Sequence, residues 1–295
     1  MKRAYILLHL SIFLWGFTGI FGRAIDLHEV VLVFYRLVIT VPAIFIIGIV
    51  SKKIKLISLK EFLPLLLVGL LIAIHWVCFY GSIKYSNISV GLSCLSLNAV
   101  FSAVLEPIIN RSKFKIAELI LAAVSAFGMY LIYHFEGFYS TGITLGIISS
   151  LFAALFTVLN KKQSSRHHSL SVSFYELTSA FVFISIALPF YIYFFNPEKI
   201  VPSGNEWMML FVFSIVCTVL PFNMALISLR KISAYMANLS INLEPVYGIF
   251  FAFILFNEQK ELNAGFFAGS AILISSVVFY MFWKFRARNK IITPL

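Results

Sequence analysis

Charge is scarce in this chain. Only 12% of its 295 residues are Asp, Glu, Lys or Arg, against about 25% in soluble domains. That leaves too little polar surface to coat a water-soluble fold of this size. Cysteine is scarcer still, with three residues, Cys78, Cys94 and Cys217, all inside apolar runs. None has metal-ligand spacing and none forms a disulfide framework; the reading is small packing residues and no metal site. Loops long enough for a soluble domain are missing. So are a G-x-x-x-x-G-K-[ST] phosphate loop and an H-E-x-x-H pair. ATP hydrolysis by a P-loop and zinc proteolysis are therefore set aside, no cofactor is expected, and the chain is not read as an enzyme. Acidic residues number 12 against 23 basic ones, a formal net charge of +11. The basic residues lie in short clusters between apolar runs, so nucleic acid is not the expected partner.

What the chain has in abundance is apolar length. Hydrophobic residues make up 61%, and the mean hydropathy is +0.96. Apolar runs of roughly 20 residues recur along the chain, each able to cross a hydrocarbon core of about 30 Å. The expected fold is an all-α polytopic membrane protein of ten transmembrane helices, at 4–25, 29–50, 62–81, 88–110, 116–135, 142–160, 171–194, 206–226, 232–255 and 262–284. The first run is too long for a signal-peptide core, and no A-x-A site follows, so it is read as an uncleaved span. Between these spans, 18 Lys and Arg fall on one side and 4 on the other (Arg23, Lys84, Lys199 and Lys260), while Arg36 lies inside a span. By the positive-inside rule both termini are cytoplasmic.

The two halves resemble each other. "FYRL" at 34–37 returns as "FYEL" at 174–177, and "IS" at 88–89 returns at 232–233. "FKIAELILAAVSA" aligns with "QKELNAGFFAGSA" at an offset of 146, pairing Ile116 with Leu262. In that register "LNAVF" faces "LEPVY", Asn98 is the counterpart of Glu244, and the other "LEP", at 105–107 with Glu106, is a chance echo. The division predicts two five-helix repeats, 1–137 and 138–295. Five is odd, so the second repeat enters the membrane from the opposite face. That is an inverted-topology repeat, an architecture of secondary transporters with a site near the midplane.

The ninth run reads "ISAYMANLSINLEPVYGIFFAFILFNEQ". Its pair Ser233-Ala234, the L-E-P-V of Leu243 to Val246, and Asn257-Glu258 resemble the EamA family of the drug/metabolite transporter superfamily. "LWGFTGIFGR" at 14–23 is similar to that family's first helix. The resemblance implies an inner-membrane secondary transporter, commonly an exporter of amino acids or related small metabolites, working by alternating access. A flippase subunit for a lipid-linked substrate is the rival within transport. An intramembrane enzyme, with His75 or Glu244 as acid or base, is the rival of another class.

Several residues could carry the chemistry. Glu244-Pro245 puts a carboxylate and a helix break into hydrocarbon, where both need a polar cavity. Glu244 could exchange a proton or hold a substrate's amino group; the alternative is a structural bond to a neighbouring helix. Arg36 suits a substrate carboxylate or phosphate, or it snorkels outward to Asp26 or Glu29. Its repeat counterpart, Glu176, serves the substrate or reaches water or Arg166. His75 with Tyr80, the midplane amides Asn98 and Asn242, and Trp15 complete the candidate lining, with ordinary packing as the alternative for each. Asn238 shares a helical face with Asn242. Gly265-x-x-x-Gly269 packs helices closely, within a monomer or in a weak homodimer. The expected partners are a small-molecule substrate and the lipid bilayer.

Overall fold

The computed structural model describes residues 2–135 and 137–292, and among them no strand occurs. Among the described residues ten helical rods follow one another: α1 (Lys2–Ala24), α2 (Glu29–Val50), α3 (Leu59–Lys84), α4 (Ile88–Asn110), α5 (Ile116–Phe135), α6 (Ser140–Arg166), α7 (Ser169–Phe195), α8 (Gly204–Leu229), α9 (Ala234–Phe256) and α10 (Ala264–Ile292). Among the described residues α1 to α9 are long and apolar enough to cross a bilayer, and the apolar part of α10 is the shorter stretch Ala264–Ser276.

Local chemistry sets the rod ends. Ser58 and Ser203 open α3 and α8 with capping boxes, answered three residues on by Glu61 and Glu206. These satisfy backbone N–H groups that have no partner inside the helix. Asn87 caps α4 by accepting from Val90 N at 2.9 Å, and Ser233 caps α9 by accepting from Met236 N at 3.2 Å. Asn196 and Asn257 end α7 and α9 in the left-handed region, which asparagine tolerates better than most residues.

The surface is apolar and much of the interior polar, as the bilayer requires. Ile46, Val50, Phe190, Phe211 and Ile254 are exposed, while Asn87, Asn98, Asn160, Glu176 and Asn238 are buried. Three rods are interrupted. In α1 the break is at Gly16 and Phe17. In α4 it falls at Ser96, between α4a (Ile88–Leu95) and α4b (Leu97–Asn110). In α9 it falls at Asn242 and Leu243, between α9a (Ala234–Ile241) and α9b (Glu244–Phe256). Tight i→i−3 bonds mark the last two: Ser96 N to Ser93 O at 3.1 Å, and Leu243 N to Ser240 O at 3.0 Å. Pro245 explains the second break. It stands in the first turn of α9b, where a missing N–H costs little. Positions 96 and 242 are 146 residues apart, the offset at which the two halves align. In α8 the chain relaxes into a π turn over Ile215–Val219.

The rods pack in reciprocal pairs: α3 on α6 and α1 on α8, α2 on α7, α5 on α10, α4a on α9b and α4b on α9a. Glycine allows the closest crossings. A Cβ on Gly269 would meet the Gly128 carbonyl at 2.5 Å, so the GxxxG stripe of α10 is used within the chain, against α5. A Cβ on Gly16 would meet Tyr247 Cβ at 2.9 Å, where the broken α1 presses on α9b.

Candidate functional site

The breaks surround a cavity of about 90 Å³, lined from α1, α2, α3, α4, α6, α8 and α9. By volume it admits about six waters, or the polar head of a small solute. Trp15, Arg36, His75, Tyr80, Asn98 and Glu244 all line it, so six of the seven residues singled out from sequence are brought together. Asn242 is not among the lining residues. It is buried behind them, with both amide atoms unpartnered. The reason is the break itself: α9a ends at Ile241, so the helical spacing that puts residues 238 and 242 on one face stops one residue short. Asn238 does line the cavity.

Arg36 is 2% exposed and does not snorkel. Its Nε donates to Thr218 Oγ1 at 2.8 Å and its Nη1 to Tyr80 Oη at 2.7 Å. The guanidinium lies over the Trp76 ring at 3.7 Å and the Phe213 ring at 4.4 Å. Neither carboxylate proposed to draw it outward pairs with it: Glu29 accepts from Tyr191 Oη at 2.9 Å, and Asp26 makes no salt bridge to Arg36 among the described residues. Among the described residues Arg36 has no carboxylate within 4.0 Å, and its Nη2 makes no hydrogen bond. A desolvated cation with a free donor edge and an aromatic face is suited to a planar anion. Thr218 reaches it from the π turn of α8, a device often found at functional sites.

Glu244 opens α9b and is 5% exposed. Its carboxylate makes no hydrogen bond and no ion pair within 4.0 Å among the described residues, while the charge of Arg36 on α2 acts on it across the cavity. The positive end of the α9b dipole lies under it. Asn98, its counterpart at the α4 break, presents a buried Oδ1 with no partner. His75 is held by α6: its Nδ1 lies 2.8 Å from Ser149 Oγ and 3.0 Å from Ser149 O.

Glu176 departs from expectation. It is fully buried and reaches neither water nor Arg166; its Oε2 accepts from Asn160 Nδ2 at 3.1 Å. Asn160 and Thr157 line the cavity from α6 and were not singled out. The expected sixth span ended at 160, which put Asn160 at the interface. The helix runs on to Arg166, which carries it well inside. Glu106 is placed across from α9: its Oε2 accepts from Tyr235 N at 2.6 Å, at the first turn of that helix.

Two stretches, residues 2–134 and 140–289, each match the profile of the EamA-like transporter family. The chain belongs to the EamA-like transporter family. As an EamA-like protein it is a multi-pass membrane transporter of the drug/metabolite type. The double match means that the family profile repeats within the chain. A solved crystal structure of a protein superposes with a TM-score of 0.68 at 13% identity, covering 93% of this EamA-like chain and 95% of the other. At that identity the likeness speaks for the fold alone. No curated protein matches the sequence significantly.

Proposed function

We propose that this chain is an inner-membrane secondary transporter that exports amino acids or closely related zwitterionic metabolites. One observation carries the reading: a buried guanidinium and a buried carboxylate, with no ion pair within 4.0 Å for either among the described residues, line the same small cavity. A substrate carboxylate satisfies Arg36 and a substrate ammonium satisfies Glu244. The unpartnered Oδ1 atoms of Asn98, Asn160 and Asn238 supply further polar contacts. The aromatic walls Trp15, Trp76 and Phe156 take the apolar part. The cavity's size suits a small solute better than a lipid-linked sugar. In the empty carrier Glu244 exchanges a proton as the cavity faces each side in turn. The test is metabolite profiling of medium from cells that overexpress the chain and from cells that lack it. Accumulation of amino acids outside the overexpressing cells is expected, and an unchanged amino-acid pool with another solute class raised would replace the substrate class.

The architecture supporting this reading is ten spans in two inverted repeats, 1–137 and 138–295. Exchanging the halves turns the contact of α3 with α6 into that of α8 with α1, and returns α2–α7, α4–α9 and α5–α10 to themselves. Such reciprocity is what a two-fold axis in the membrane plane produces. Both termini are placed in the cytoplasm by the 18-to-4 split of basic residues. A C-terminal alkaline phosphatase fusion should accordingly be inactive; an active fusion means an odd span count or the reverse orientation.

A further inference from the structure

Two carboxylates outside the cavity are placed in a reciprocal manner. Glu106, near the end of α4b, reaches across to the first turn of α9a and accepts from Tyr235 N at 2.6 Å. Glu258, just past the end of α9b, reaches across to the first turn of α4a. There it accepts from Ile88 N at 3.0 Å, Ser89 N at 2.9 Å and Ser89 Oγ at 2.6 Å. Each acid thus closes the exposed N–H groups of the other half's broken helix, where a negative charge also meets the positive end of the dipole. Residues 88 and 106 are separated by about 27 Å of helical rise, so the two bonds lie toward opposite faces of the membrane. Both are formed in this structure.

We propose that Glu106 and Glu258 are the gate residues of the carrier, one for each side. The inference rests on the alternating-access reading above. Each bond ties the first half of the chain to the second at one end of the α4–α9 crossing. Separating those helices at one end must break that bond and leave the other intact. The breaks at Ser96 and Asn242–Leu243 lie between the two bonds, and α4a packs on α9b while α4b packs on α9a. Each end can therefore part as a unit without dragging the other.

The two gates differ in strength. Glu258 is fully buried, and besides its three bonds to α4a it takes a salt bridge from Arg23 Nη1 at 2.9 Å. Glu106 is half-buried and makes a single hydrogen bond. The Glu106 end is accordingly the easier to open at rest. By the charge rule that end faces the cytoplasm, where an exporter must load.

The test reads access to the cavity rather than transport, so it stands apart from the identity of the substrate. Cys78, Cys94 and Cys217 are replaced by serine or alanine, and Ala153, which lines the cavity from α6, becomes the single cysteine through Ala153→Cys. A membrane-impermeant maleimide is then applied to right-side-out and to inverted vesicles. Glu106→Ala is expected to raise the labelling rate about tenfold from the Glu106 face, as loss of a charge-assisted bond to a helix start predicts. Glu258→Ala is expected to raise it from the opposite face. Glu106→Gln and Glu258→Gln keep an acceptor oxygen and should move labelling in the same directions by less, which covers the case in which an alanine variant does not fold. Labelling raised from the same face by both acids' variants, or unchanged in all four at normal abundance, overturns the proposal.

Discussion

Glu244→Gln is expected to cut export to the level of cells lacking the protein, while abundance and detergent melting temperature stay close to wild type. Glutamine has the shape of glutamate, and no hydrogen bond or ion pair within 4.0 Å holds this carboxylate among the described residues, so the substitution breaks no direct bond. What it removes is a negative charge and a group that can release a proton inside the cavity. A buried carboxylate inside a membrane is costly unless function requires it. The matching control is Glu106→Gln. Its side-chain oxygen still accepts from Tyr235 N, so most export should remain although the gate is loosened. Wild-type export from Glu244→Gln in whole-cell efflux assays would falsify both the coupling and the ammonium-binding roles of this residue.

Arg36→Lys is expected to slow export about 10- to 100-fold, and Arg36→Gln at least as much. A lysine ammonium is a point donor. It cannot bond Thr218 and Tyr80 together, lie flat over Trp76 and still present a second nitrogen to a carboxylate. Losing one charge-assisted bond of about 1.5–3 kcal/mol corresponds to that range of rates. Because Arg36 also fastens α2 to α3 and α8, the variants should be compared at equal abundance and with their melting temperatures measured. Export at the wild-type rate in properly folded Arg36→Lys would leave this guanidinium with packing alone.

The class of molecule, the rough positions of the spans and both charged residues of the cavity were legible in the sequence itself. A 12% charge content and recurring apolar runs leave a membrane bundle as the fold. Within hydrocarbon each polar residue is costly, so Arg36, Asn98 and Glu244 stand out without any structure. The break in α9 was also legible, because proline removes a known hydrogen bond. The break in α4 was not: no proline or glycine marks Ser96, and only its alignment with Asn242 hinted at it.

Tertiary structure decided which partner each polar group takes. Asn160 and Thr218 looked ordinary because serine, threonine and asparagine are common in helices and carry no charge to betray their depth. Asn242 looked like cavity lining because helical periodicity was carried through a break. Glu106 looked like an echo, and Glu258 only like part of the Asn257-Glu258 pair in the resemblance, with no partner to read. Their partners are backbone N–H groups about 130 to 170 residues away in the chain, and a backbone donor leaves no mark in a sequence. Composition and periodicity act along the chain and are readable there. Pairing across the bundle depends on which helix ends meet, and only the fold brings those ends together.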